Sequence, residues 1–344
     1  MLRVGTAYQS AGRWYRGRNV RWRNDGLVWA LEPIGGWVQR TTVAMTGKVR
    51  AALAFVDNDN LRWQIYGTEQ KLYALTQTSD TPVDITPSGF TAGDADATAG
   101  AGYGIGPYGE STYGTPRVDN ATYQEASMWT LDNFGEIPYG IMAGDSVLYK
   151  WALDTGTPAI AVAGAPTGSA VVVTPERFIF VLGADGDNRK VRWADQESDS
   201  DWTAGATDQA GDIILETQGK LMCGKRIRGG TLIWTDMDVH LATYIAQPFI
   251  YRFDRLGENC GIISRGAAAV ADARAMWMGN GRFYAFDGSI REINCEVAEG
   301  VFGDFNTTQK SKVTAHHEPK FSEVWWKYPS SASTEVDRAV VYNY

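Results

Sequence analysis

The stretch Phe283-Tyr-Ala-Phe286-Asp287-Gly288-Ser289-Ile-Arg-Glu-Ile293 decides how the chain is read. An aromatic-rich run meets Asp-Gly, and a second strand-like run follows. Asp-Gly between two such runs predicts a hairpin, because both central residues of a type I′ turn need φ above zero. The same grammar recurs. Phe178-Ile-Phe-Val-Leu182 leads through Gly183-Ala-Asp-Gly-Asp-Asn188 into Lys190-Val-Arg-Trp193, with Val191 and Trp193 on one face and Arg192 on the other. Leu232-Ile-Trp234 turns into Val239-His-Leu241, and Ile65-Tyr-Gly-Thr68 into Lys71-Leu-Tyr-Ala-Leu75. These are antiparallel neighbours joined by short turns.

One strand-borne aromatic marks each unit: Trp22, Tyr73, Tyr149, Trp193, Trp234, Tyr284 and Trp325. The intervals are 51, 76, 44, 41, 50 and 41 residues, and the 76 spans nearly two periods. A strand-built repeat of roughly 40–50 residues is the signature of a propeller blade. The expected fold is therefore mostly β, a propeller-like ring of small antiparallel sheets forming one domain over residues 1–344. Composition agrees. The chain has 13 Trp, 16 Tyr and 38 Gly, which suit pleated half-buried surfaces and the turns between them. Hydrophobic residues make up 44%, enough for a real core, and charged residues 21%.

Helix is expected only in patches. Val297, Val301 and Phe305 repeat at i, i+4, i+8, which predicts a short helix near residues 296–305, weakened by Gly300 and Gly303. A further turn is expected within 306–312. Residues 338–344 read as a strand that either closes the ring against N-terminal strands or marks the chain as a fragment.

Residues 88–116 fall inside the double-length interval. They contain Gly100-Ala-Gly-Tyr-Gly-Ile-Gly-Pro-Tyr-Gly-Glu-Ser-Thr-Tyr-Gly-Thr115, with Tyr103, Tyr108 and Tyr113 each followed by Gly. This is too glycine-rich for a core strand and reads as an inserted loop or arm, replacing or decorating a blade. Stiff amphipathic rings on a pliable backbone suit protein–protein contact, so these three tyrosines are the candidate inter-subunit contacts. The plainer alternative is a linker.

The formal net charge of −8 argues against a general polyanion binder. Arg13, Arg16, Arg18, Arg21 and Arg23 form a local exception. Interleaved with Trp14, Tyr15, Val20 and Trp22, they read better as a solvated strand face than as a phosphate patch. Cys223, Cys260 and Cys295 are far apart and odd in number, so neither a disulfide framework nor a zinc site is expected. The opening Met1-Leu-Arg-Val-Gly lacks an apolar leader, and no apolar run approaches a membrane span. A soluble protein made in a cytoplasm is expected.

No catalytic motif stands out in the sequence. His316 and His317 are adjacent, so in a strand they point to opposite faces and cannot share an ion; His240 is isolated. Asp57-Asn-Asp-Asn60 and Asp185-Gly-Asp-Asn188 lack the distal Glu of a calcium loop and read as turn chemistry. No nucleophile elbow appears, and the glycine run at 102–109 has no Lys-Ser/Thr of a phosphate cradle. A carboxylate pair for glycoside hydrolysis could be drawn from Asp195, Glu197, Asp199, Asp201, Asp236, Asp238, Asp254 or Asp287, but none is marked out. Ser198-Asp-Ser-Asp-Trp-Thr203 resembles the sialidase Asp-box only in part; it lacks that motif's glycine and does not recur. No cofactor is expected.

A succession of phrases resembles the tail nozzle, or tail-hub, structural proteins of short-tailed bacteriophages. Within residues 60–344 these are Tyr66-Gly-Thr68 with Lys71-Leu-Tyr73, Asp84-Ile-Thr-Pro87, the Gly-Tyr-Gly-rich run to Tyr113-Gly-Thr115, and Trp129-Thr-Leu-Asp-Asn-Phe-Gly-Glu136. Leu148-Tyr-Lys-Trp151, Arg192-Trp-Ala-Asp-Gln-Glu197, Asp201-Trp-Thr203, Leu232-Ile-Trp-Thr-Asp236, Trp277-Met-Gly279 and Glu323-Val-Trp-Trp326 follow. The resemblance implies a non-enzymatic virion protein, a propeller-bearing subunit of a homohexameric ring below portal and adaptor. That ring would carry fibres or spikes and conduct double-stranded DNA during genome ejection without specific binding. Related nozzles are longer, so the distal tip is in doubt here. Two other readings stay open: a carbohydrate-active propeller hydrolase, and a generic propeller scaffold.

Overall fold

The computed structural model describes residues 19–24, 29–36, 38–98, 123–205, 208–271 and 273–344. An N-terminal hairpin, β1 (Val20–Asn24) and β2 (Trp29–Pro33), comes first. Six small antiparallel sheets follow, each a simple meander. Blade 1 is β3 (Val49–Val56), β4 (Arg62–Thr68), β5 (Leu72–Thr76) and β6 (Val83–Asp84). Blade 2 is β7 (Trp129–Phe134), β8 (Ile137–Met142), β9 (Leu148–Lys150) and β10 (Ile160–Ala161). Blade 3 is β11 (Ala170–Val173), β12 (Ile179–Leu182), β13 (Lys190–Trp193) and β14 (Gly211–Ile214).

Blade 4 is β15 (Leu221–Ile227), β16 (Gly230–Thr235), β17 (Val239–Ala246) and β18 (Ile250–Gly257). Blade 5 is β19 (Ala268–Ala271), β20 (Arg274–Met278), β21 (Phe283–Phe286) and β22 (Ile290–Glu292). Blade 6 has three strands, β23 (Thr314–Glu318), β24 (Glu323–Tyr328) and β25 (Arg338–Asn343). The first strands of successive blades pack side by side, which makes a six-bladed propeller.

The seven marker aromatics fall one per sheet: Trp22 in the hairpin and the other six in the six blades. Among the described residues the double interval holds no seventh blade; residues 85–98 and 123–128 form an insertion between blades 1 and 2.

Each blade buries both faces, because neighbours cover both. In β12, Ile179 and Val181 pack toward blade 2, while Phe180 and Leu182 pack toward blade 4. Tryptophans stitch the contacts by placing an apolar ring in the core and the indole N–H on a carbonyl. Trp129 donates to Thr68 O at 2.7 Å, joining blades 2 and 1; Trp326 donates to Ala267 O at 3.0 Å, joining blades 6 and 5. Gly67 makes room for the Trp129 ring: a Cβ there would lie 2.4 Å from Cδ1.

Three expectations need correction. At Asp287-Gly288, β21 and β22 pair Phe286 with Ile290 across three residues, and only Gly288 takes positive φ (115°), so no two-residue type I′ turn forms. The short helix and the turn fall where expected, as α1 (Ala298–Gly303), which contains both glycines, and one 3-10 turn at Lys310–Lys312. Among the described residues β25 pairs only with β24 and does not close the ring against N-terminal strands. Arg21 is not on a solvated face; its side chain is 13% exposed and bonds both oxygens of buried Glu323, at 3.1 and 2.9 Å, with its guanidinium over the Phe321 ring.

Candidate functional site

Strand direction sorts every loop onto one of two faces. Ser169, Leu221, Met222 and Arg265 stand at the starts of the first strands of blades 3, 4 and 5, and they meet directly. Arg265 donates to Met222 O at 2.8 Å and to Ser169 Oγ at 3.3 Å. All first strands therefore begin at one end, here the upper face. In a four-strand meander the turns after the first and third strands lie on the lower face.

The insertion is anchored across the upper face. Its two limbs, residues 93–98 and 123–128, pair at Thr98 and Gln124 through two backbone bonds of 3.0 Å. The limbs reach far around the ring. Gln309, ahead of blade 6, holds both polar groups of Ala97, accepting from N at 2.9 Å and donating to O at 2.8 Å. Ala126 N donates to Ser311 Oγ at 3.2 Å, and Tyr123 OH to Thr308 O at 2.6 Å. Glu125 pairs with Lys220, at the start of blade 4, at 2.5 Å. One short segment that leads into blade 2 and touches blades 4 and 6 must lie over the axis, because those blades alternate around a ring of six. The stem thus covers the upper mouth of the bore. Burial opposes charge on Glu125, but the Lys220 charge and bond, with Arg265 and Lys310 nearby, hold its carboxyl below the usual range.

The same face contains the ring's one polar seam among the described residues. Apolar clusters join blade 1 to 2, 2 to 3, 3 to 4, and 4 through 5 to 6, and none joins 6 to 1. There the contact is ionic. Arg50 of β3 bonds both oxygens of Glu335, which precedes β25, and donates to Ala95 O at 2.7 Å. Lys312, whose side chain is fully buried, contacts Asp96, Glu335 at 3.2 Å and Thr334 O at 2.7 Å. Ring closure and stem anchoring therefore share one network. No local pattern marks Arg50, Lys312, Gln309 or Glu335, because each has a partner across the seam or in the stem more than 200 residues away.

Tyr103, Tyr108 and Tyr113 lie outside the described residues. Of the carboxylates that a hydrolase would recruit, Asp195 and Asp201 come together and the others are engaged separately. Asp199 accepts from Tyr139 OH at 2.7 Å and pairs with Lys150; burial opposes its charge, yet those two partners hold it below the ordinary carboxylate range, while burial and Asp199 push the Tyr139 phenol up. Glu197 pairs with Arg177, Asp254 with Arg252 at 2.7 Å, and Asp287 with Arg291 at 2.9 Å. Asp236 accepts from Lys220 N at 2.8 Å and Asp238 from Thr217 Oγ1 at 2.5 Å. Asp195, Asp201 and Asp208 bring carboxylate oxygens within 4.8 Å of one another. A cleft of about 520 Å³ between blades 4 and 5 contains Glu258 and Glu292, each ion-paired to an arginine.

The turn readings hold. Asp57 accepts from Asp59 N, Leu61 N and Trp63 Nε1, so both its oxygens serve its own turn, and Asp185 pairs with Lys190 and Arg192. His316 stacks on Trp325, while His317 bonds Tyr344 OH at 2.7 Å, one on each face. Among the described residues, no helix is long and apolar enough to cross a membrane.

No family model matches the chain. No curated protein matches it either. Solved structures do. The extracellular domain of a one component system from B. thetaiotaomicron aligns over 85% of this chain at 10% identity and TM-score 0.43, and the chain spans 38% of that protein. The alpha-L-arabinofuranosidase Arb93A of Fusarium graminearum aligns over 86% at 9% identity and TM-score 0.39, covering 93% of that chain. PorZ, a surface component of the type-IX secretion system of Porphyromonas gingivalis, aligns over 94% at 8% identity and TM-score 0.45, covering 42% of that chain. Likenesses of this degree carry nothing about activity.

Proposed function

We propose that the chain is a non-enzymatic structural protein of a virion, a subunit of the tail nozzle or hub ring of a short-tailed phage. The reading draws on the run of sequence phrases that resembles such proteins and on one structural observation. The insertion stem, residues 93–98 and 123–128, leads into blade 2 and is clamped across the upper face of the ring at blades 4 and 6, and the Tyr/Gly-rich segment lies between its two limbs in sequence. A fixed base lowers the entropy cost of making a contact through that segment. The bore is covered by the stem, so DNA would travel along the axis of the multimer. The partners on this reading are further copies of the chain, portal and adaptor above, and fibres or spikes at the rim. DNA passes transiently and without specific binding.

The test is mass spectrometry of purified particles of the phage whose genome encodes the chain. The reading expects its peptides at a few copies per particle, in the tail fraction after particle disruption. Particles free of the peptides would overturn it.

A further inference from the structure

The lower face is electrically divided. On blades 1–3 its turns carry Asp59, Glu136 and Glu176, and the long turn after β13 adds Asp195 and Asp201, while Glu197 there is paired to Arg177. Neither Asp195 nor Asp201 is in an ion pair among the described residues, and with Asp208 they crowd three carboxylates together. On blades 4–6, where Asp287 is paired with Arg291, the same face carries Lys225 and Arg228 at the end of β15, Arg274 at the start of β20, and Lys320 ahead of β24. None of these four is in an ion pair among the described residues, in a chain of net charge −8. Beside them, at the tip of the β17–β18 hairpin, Phe249 is 75% exposed and Ile245 is 43% exposed.

We propose that this face is a self-association surface, with the basic arc and Phe249 of one copy docking on the acidic pole of the next. The idea rests on the ring-subunit reading. Charge complementarity selects the occupant. Crowded like charges repel until an opposite charge approaches, and the chain itself supplies the complement on the far half of the face. A DNA backbone fits less well, because the acidic pole beside the arc repels phosphate. Phe249 supplies the apolar aromatic anchor that charged rims lack.

The experiment is sedimentation velocity on the purified full chain at 50 and 500 mM NaCl. Wild type is expected to self-associate, with the association constant falling at least about tenfold at high salt. Lys225→Glu with Arg228→Glu, and separately Asp195→Lys with Asp201→Lys, should each weaken association at low salt by a similar factor. An equimolar mixture of the two variants should recover it, a rescue that misfolded proteins cannot give. Milder Lys225→Gln with Arg228→Gln and Phe249→Ala should weaken it without reversing charge. Wild type that stays monomeric at low salt overturns the idea, as does assembly indifferent to both reversals. Tighter binding of double-stranded DNA or polyglutamate than of a second copy overturns it too. Virion peptides together with charge-indifferent assembly would sink this inference and leave the proposed function standing.

Discussion

Arg50 and Glu335 form a two-armed ion pair, 2.9 Å at each arm, that joins the first blade to the last. Every other blade contact has an apolar cluster behind it. Arg50 is nearly buried, with a side chain 4% exposed, whereas Glu335 is 39% exposed. Removing the carboxylate strands a buried guanidinium, and partial solvent access on the other side tempers the loss. Glu335→Ala should destabilise the ring by about 2 kcal/mol, read from urea unfolding. Native-state hydrogen exchange should place the early opening in blades 1 and 6; uniform loss across all six would contradict the polar seam.

Acid should act at the same place. Burial pushes the Glu335 carboxyl up, but the Arg50 bond and charge, with Lys312, win and hold it below its ordinary value. A carboxylate depressed in the folded state contributes stability above its unfolded pKa, near 4.3, and loses it as pH falls through the folded value. Wild type should therefore lose stability more steeply than Glu335→Gln below about pH 4. Parallel profiles would show that the pair is energetically silent.

A second pH effect belongs to His240. Burial lowers its pKa, with Arg255 acting in the same direction and Asp238 against it. The neutral ring is the folded form, so stability is complete above the unfolded pKa of about 6.5 and falls as pH drops below it. His240→Gln should flatten the dependence of Tm between pH 7 and pH 5. An unchanged slope would assign that dependence to other groups, His316 first, since burial and Lys327 lower its pKa too.

The stem should detach without unfolding the ring. Gln309 is buried and makes both bonds to Ala97, so Gln309→Ala leaves two backbone groups unpaired, at a cost of about 1–3 kcal/mol. Amide protection should fall in residues 93–98 and 123–128 while the strands of blades 3–5 keep theirs. Loss of protection in those blades would mean that the stem is part of the fold's core.

Gly67→Ala should shift Trp129, because the new Cβ would sit 2.4 Å from its ring. Overpacking of this kind costs about 1–3 kcal/mol. The indole bond to Thr68 O should lengthen, visible as a changed Trp side-chain N–H resonance; an unmoved resonance would show a looser blade 1–2 contact than the geometry implies.

The blades were legible because their information is local. Val191 and Trp193 alternate with Arg192, and Asp57 and Asp185 announce turns, within a few residues of their partners. Blade number was blurred by the insertion and by Trp22, which has a blade-like spacing yet lies in a separate hairpin. Asp-Gly at 287–288 named a hairpin correctly and its turn wrongly, since the register is set by packing of Phe286 and Ile290. The seam and stem were illegible. Arg50 meets a partner 285 residues away, and Gln309 one 212 away, and no short pattern encodes such pairs. Arg21 looked solvated for the same reason, with Glu323 lying 302 residues on. The divided lower face becomes visible only when strand direction places each turn.

The central claim is that this propeller works as one copy among several in a particle. Native mass spectrometry of the assembled protein, with class averages of the same sample by electron microscopy, tests it most directly. The account predicts a six-subunit mass and a ring with six-fold symmetry. A monomer at every concentration, with a sugar polymer cleaved in its presence, would contradict it.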